Sequence, residues 1–163
     1  MSTIYRKQFV LAVSCLWVAI ALTACSGERR VPARPLLLTV SSEASDLAPV
    51  IAAEHKKAQA QQATLLVYVG AKWCEPCRHF HDALKAGELD ASLPDLRFLE
   101  FDYDRSRDAL QRAGYVSTLI PLFAFPNPDG TASERRMEGS VKGPDAVAQN
   151  LLPRLKALLA ADP

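Results

Sequence analysis

No charge of either sign dominates this chain: 19 Lys and Arg stand against 18 Asp and Glu, a formal net charge of +1. No basic cluster breaks that balance, so the electrostatic footprint of a nucleic-acid binder is missing and no nucleic-acid partner is expected. Long apolar runs are missing too. The longest, residues 9–22, is about 14 residues broken only by Ser14, short of the ~20 a helix needs to span a bilayer. No internal repeat is visible, which argues against a solenoid or propeller. Cysteine and histidine are scarce, four of one and three of the other, so each can be weighed individually.

A basic pair, Arg6-Lys7, precedes the apolar run, the layout of a signal peptide rather than a permanent span. The run ends in Leu22-Thr23-Ala24-Cys25, which resembles the lipobox of bacterial lipoproteins. That resemblance implies that residues 1–24 are a signal peptide and that Cys25 receives lipid and becomes the new N-terminus. An ordinary secretory signal followed by a chance cysteine is the alternative. The expected protein is exported and held on a bacterial membrane by lipid on Cys25, facing the periplasm; Ser26 resembles the residue found in lipoproteins sent to the outer membrane. Removing residues 1–24 takes away Arg6 and Lys7 and no acid, leaving 17 basic residues against 18 acidic ones. Residues 25–35, polar and holding two prolines, read as a tether, and residues 36–163 as one domain with its own core.

The cysteines can now be assigned. Cys15 falls in the discarded segment and Cys25 is capped, which leaves Cys74 and Cys77 as the free pair. They stand in Trp73-Cys74-Glu75-Pro76-Cys77, between an apolar run and a helical pattern. At a helix N-terminus, unpaired N–H groups and the helix dipole favour a thiolate at Cys74, with a pKa of about 3.5 to 7.5 in such settings. Cys77, one turn on, is placed to resolve whatever Cys74 captures. Pro76 is tolerated because the first turn has no acceptor for the N–H it lacks. A static bridge is the bland alternative, but closing so short a loop constrains the unfolded chain very little. Half of a zinc site is another.

Periodicity predicts an alternation of strands and helices. Strands are expected at residues 36–40, 64–69, 96–103, 122–125 and 131–138. Helices are expected from a cap at Ser45 or Asp46 to Gln61, from Cys74 to Gly87, over 104–113, and from Pro144 onward with Pro153 kinking the last one. The order is β-α-β-α-β-α-β-β-α, an α/β class with a central mixed sheet of about five strands.

With that order and the dithiol after the second strand, the chain resembles the thioredoxin family. Trp73, Cys74, Pro76 and Cys77 match its Trp-Cys-x-Pro-Cys; Pro121, in Thr118-Leu119-Ile120-Pro121, matches its cis-proline; Gly139 matches a glycine near the end of its last strand. The resemblance implies a thiol–disulfide oxidoreductase acting on protein disulfides, working as a monomer. Substrate would dock along Trp73, Glu75, Pro76 and the backbone of Ile120. It implies no cofactor beyond the redox-active Cys74–Cys77 disulfide. It also implies a reducing role, with a membrane electron-transfer protein as donor. Departures are specific: Tyr68 stands where the family places a buried Asp six residues before the first cysteine, and Glu100 falls near the family's lysine. A buried Glu100 with a raised pKa would suit proton exchange with Cys77. Glu75-Pro76 also occurs in thioredoxin-like proteins that reduce apocytochrome c, yet those commonly carry a glutamate where Phe80 stands.

His79 and His81 raise a rival, a copper- or zinc-delivery lipoprotein using Cys74 and Cys77 as ligands. The two histidines lie two apart on a helix and point to different sides. His81 shares the face of Cys77, although the simpler expectation leaves it in solvent. His55 lies far upstream.

Overall fold

Residues 64–70, Thr-Leu-Leu-Val-Tyr-Val-Gly, are apolar on both alternating sets of positions, the pattern of a strand covered on both faces. A computed structural model describes residues 33–40 and 44–161 and places that strand at the middle of a five-stranded sheet. The signal segment and Cys25 lie outside the described residues. In chain order the elements are β1 (Leu36–Thr39), α1 (Ala48–Ala60), β2 (Thr64–Gly70), α2 (Glu75–Ala86), β3 (Leu96–Asp102), α3 (Tyr103–Arg112), β4 (Leu122–Pro126) and β5 (Ala132–Glu138). A π-helical turn (Val147–Leu151) then runs into α4 (Leu152–Ala160).

The strand order is β1-β3-β2-β4-β5; β1, β3 and β2 run parallel, while β4 is antiparallel to β2 and β5 antiparallel to β4. The sheet and its connections are those implied by the resemblance, and the chain is thioredoxin-like in fold. Register sets up the site. Thr39 pairs with Glu100, Glu100 with Tyr68, and Tyr68 with Phe123. Side chains paired across neighbouring strands share a face, so these four form a row under α2.

Two cores follow from the alternation along β2. Leu66 and Tyr68 pack with Phe98, Phe123, Phe80 of α2, and Leu151 and Leu155. Leu65, Val67 and Val69 pack on the opposite face with Ile51 of α1 and Leu110 of α3. Phe80 meets Phe98 and Phe123 edge-on at centroid separations of 5.1 and 5.0 Å, the arrangement aromatic quadrupoles favour.

Several boundaries differ from the sequence-based expectation, each for a local reason. Tyr103 opens α3 instead of closing β3, because the Asp102 carboxylate accepts hydrogen bonds from the N–H groups of Asp104 and Arg105 at 3.1 and 3.0 Å. The residue capping α1 is Leu47, with Asp46 accepting from Ala48 N at 3.2 Å. Pro144 sits in a turn before the last helix. Pro153, expected inside the last helix as a kink, falls instead in the first turn of α4, after a π-helical turn in which Leu152 N donates to Val147 O, one residue further back than in an α-helix. At the other end, Ala33 exchanges backbone and side-chain hydrogen bonds with Asp95 at 2.9 Å, and Arg34 pairs with Asp90. Domain contacts therefore begin slightly before Leu36.

Candidate active site

The apolar strand β2 ends at Gly70, and a short loop leads through Ala71 to Cys74, whose extended backbone (φ −78°, ψ 109°) caps α2. Cys74 Sγ accepts from Cys77 N at 3.4 Å. The two cysteines are joined in a disulfide with their Cα atoms 5.3 Å apart. Both are nearly buried, Cys74 4% and Cys77 3% exposed. The first turn of α2 aims its free N–H groups at Cys74, the setting that favours a thiolate once the bond is reduced.

Across from the end of β2, the Ile120–Pro121 peptide bond is cis. Leu122 pairs with Val69, which brings Pro121 to the strand end that carries the dithiol. Gly139 N donates to Pro121 O at 2.8 Å from a left-handed backbone (φ 66°) that favours glycine. Two residues the motif does not contain hold this loop. Ser117 Oγ accepts from Leu119 N and reaches the Glu138 carboxylate, both at 2.9 Å. Arg154 donates to Gly139 O at 2.7 Å and to Glu138 O at 2.8 Å. An arginine on the last helix and a serine in a loop carry no sequence signal of that duty.

Trp73 is 62% exposed and Leu119 60%. Val116 and Val141 are also exposed, at 53% and 52%. Two of them, Trp73 and Val141, belong to segments that meet the dithiol turn. Trp73 precedes Cys74; its indole N–H donates to Asp104 at 2.8 Å and its ring stands edge-on to Tyr103. Val141 lies on the loop whose Gly143 N donates to Glu75 Oε1 at 2.9 Å. That bond fixes the carboxylate between the two cysteines. Pro76 is buried.

Under Cys77 lies a cavity of about 630 Å³, lined in part by Thr39, Tyr68, Gly70, His81 and Glu100. Glu100 Oε2 accepts from Thr39 Oγ1 at 2.8 Å, and Oε1 lies 2.8 Å from His81 Nε2. Burial pushes the Glu100 carboxyl up, but the His81 ring, the Thr39 hydroxyl and the Lys85 charge outweigh it and hold it below the usual glutamate value. This corrects the expected raised pKa: the row of paired residues and α2 supply hydrogen bonds and positive charge that sequence could not place. His81 is likewise not in solvent, its side chain being 28% exposed against Glu100. His79 turns the other way, 3.7 Å from Glu75, and His55 sits beside Gln59 on α1. Among the described residues no group of three His, Cys, Asp or Glu is arranged to hold a metal ion.

Tyr68 is wholly buried; its hydroxyl faces the cavity with no hydrogen-bond partner in the structure. Burial first, and the Glu100 charge second, push its phenol well above the ordinary value. Gly70 makes room for it. A Cβ there would lie 2.8 Å from Tyr68 Cζ and 3.4 Å from Cys77 Sγ. The spacing Tyr68-Val69-Gly70 is thus one packing unit, legible only once the sheet face is known.

No protein-family model and no curated protein matches the sequence. Solved structures do. A thioredoxin from Trichomonas vaginalis is similar at 20% identity and TM-score 0.46, over 74% of this chain and 92% of that one. A poplar thioredoxin h is similar at 20% identity and TM-score 0.46, over 77% and 98%. Trxlp from Edwardsiella tarda is similar at 23% identity and TM-score 0.45, over 77% and 99%. The fold itself rests on strand order and register.

Glu100 gives a pH test of the cavity. Its folded pKa is depressed, so it contributes stability above the unfolded value, about 4.3, and loses it as pH falls through the lower folded value. Urea unfolding should find Glu100→Gln less stable than wild type at pH 7, with the gap shrinking between about pH 5 and pH 3. A gap that stays constant over that interval would contradict the assignment.

Proposed function

We propose that the chain is a thiol–disulfide oxidoreductase that reduces protein disulfides in the bacterial cell envelope. One observation carries the reading: a Cys74–Cys77 disulfide at the N-terminus of α2, beside a cis Ile120–Pro121 bond. The chemistry is thiol–disulfide exchange. In the reduced protein, Cys74 thiolate attacks one sulfur of a substrate disulfide; that S–S bond breaks, a mixed disulfide forms, and the departing sulfur takes a proton from water. Cys77 loses its proton and attacks Cys74 Sγ. The mixed disulfide breaks, the Cys74–Cys77 bond forms, and two electrons have passed to the substrate. A membrane-bound dithiol donor closes the cycle by reducing the pair again. No further cofactor is needed.

Substrate recognition on this reading uses the exposed apolar side chains of Trp73, Val116, Leu119 and Val141. Such a surface accepts many partly unfolded segments, since apolar contact is non-directional. The backbone of Ile120 aligns the peptide so that its sulfur meets Cys74. Placement on the membrane rests on the Leu22-Thr23-Ala24-Cys25 motif.

Two measurements test these readings. The purified full chain should catalyse dithiothreitol-driven reduction of insulin, and Cys74→Ser should abolish that catalysis; equal rates would rule the mechanism out. In a bacterial host, the wild-type chain should take up radiolabelled fatty acid and sediment with membranes, and Cys25→Ser should do neither. A Cys25→Ser chain that still carries label would remove the lipoprotein assignment.

A further inference from the structure

Resolution of the mixed disulfide requires a thiol only 3% exposed, Cys77, to give up its proton. The thiolate is the nucleophile, so something must receive that proton. Of the two cysteines, Cys77 alone lines the cavity beneath the dithiol, and four other side chains of its lining could exchange a proton: Tyr68, His81, Glu100 and Asp102, the last already accepting from Asp104 N and Arg105 N as the cap of α3. Tyr68 is unsuited to the task. Its phenol is held neutral by burial, so it already carries the proton it would have to accept. Glu100 is held as a carboxylate, with one oxygen occupied by Thr39 Oγ1 and the other facing His81.

His81 remains. It lies four residues after Cys77 on α2, the spacing that places both on one helix face. Its Nε2 is buried 2.8 Å from Glu100 Oε1; a nitrogen that close to a carboxylate carries its hydrogen toward it, which leaves Nδ1 as the ring atom able to take a proton. The cavity is large enough to admit water between it and Cys77. The geometry points to His81 as the proton acceptor for Cys77, with Glu100 as its positioning residue: the Cys77 proton passes to the imidazole directly or through one water, and the carboxylate balances the resulting imidazolium. As the Cys77 sulfur bonds to Cys74 Sγ and the substrate thiolate leaves, that proton is available to the leaving sulfur.

The charges around the pocket are compatible with this. Lys72, Arg78 and Arg105 of the lining are solvent-exposed, and Asp102 is half-buried. Lys85 acts on Glu100 from the next turn of α2. Glu100 is the anion in contact with the ring, so the histidine and the carboxylate act as a unit. An exposed histidine would leave the relay to bulk water. This one sits under the disulfide.

The inference rests on the exchange reading above, and its test separates the two. Reduced full chain is mixed in a stopped-flow instrument with excess 5,5′-dithiobis(2-nitrobenzoate), which releases one thiolate on Cys74 attack and a second on Cys77 attack. Wild type should show a first phase proportional to reagent concentration and a second independent of it. His81→Gln should leave the first phase within about twofold and slow the second by about a hundredfold at pH 7, the scale of general-base catalysis. The deficit should shrink as pH approaches the free thiol value of about 8.5. Glu100→Gln should slow the second phase less, and added imidazole should restore it in His81→Ala. A second phase unchanged in His81→Gln, or both phases slowed alike, overturns the relay while leaving exchange intact. A wild-type chain that releases neither thiolate overturns the exchange reading and the relay with it.

Discussion

The site depends on one backbone event: a strand buried on both faces stops at Gly70, and a helix starts within a few residues, at Glu75. Cys74 stands at that break as the cap, and Cys77 lies one turn inside. The buried strand fixes where the helix can begin, since shifting β2 by one residue would exchange its two core faces. The helix start in turn sets the electrostatics at Cys74, because the first turn's N–H groups have no partners of their own. Geometry and reactivity at the sulfur therefore share a cause.

The same register explains what lies behind the sulfur. Thr39, Glu100, Tyr68 and Phe123 form a row across four strands, so apolar and polar residues share one sheet face. Phe123 stacks on Tyr68 at 5.0 Å and continues into the aromatic core. Glu100 and Thr39 sit at the outer end, where His81 of α2 reaches down to meet them. Burying a carboxylate is costly unless it is hydrogen-bonded and paired; here the hydroxyl and the imidazole supply both. Tyr68 is the contrasting case. Its ring packs well, while its hydroxyl is left facing the cavity beside Cys77.

Much of this was legible in the residues themselves. Strand and helix order followed from periodicity, and the glycine at the end of α2 adopts the left-handed cap (φ 78°) that its position called for. Cys74, Cys77 and the cis bond at Pro121 stand where the resemblance placed them. Position in the sequence marks Glu100 but not its environment, because a strand residue's partners come from elements far away in the chain. Thr39 and His81 are 61 and 19 residues distant in sequence. Ser117 and Arg154 were missed for the same reason: their role is to hold a loop through backbone carbonyls and amides, and no side-chain motif advertises that. His81 looked like a solvent residue because helical spacing says which face it occupies and nothing about what that face meets.

A structural cross-link and an exchanging one differ in their equilibrium with other thiols. The most direct measurement equilibrates the full chain with dithiothreitol or glutathione buffers of known poise and counts free Cys74 and Cys77 by alkylation and mass spectrometry. The account requires both to appear together as one two-electron couple, with a midpoint between about −270 and −120 mV. A bond that stays closed below about −300 mV, the range of structural disulfides, would contradict it.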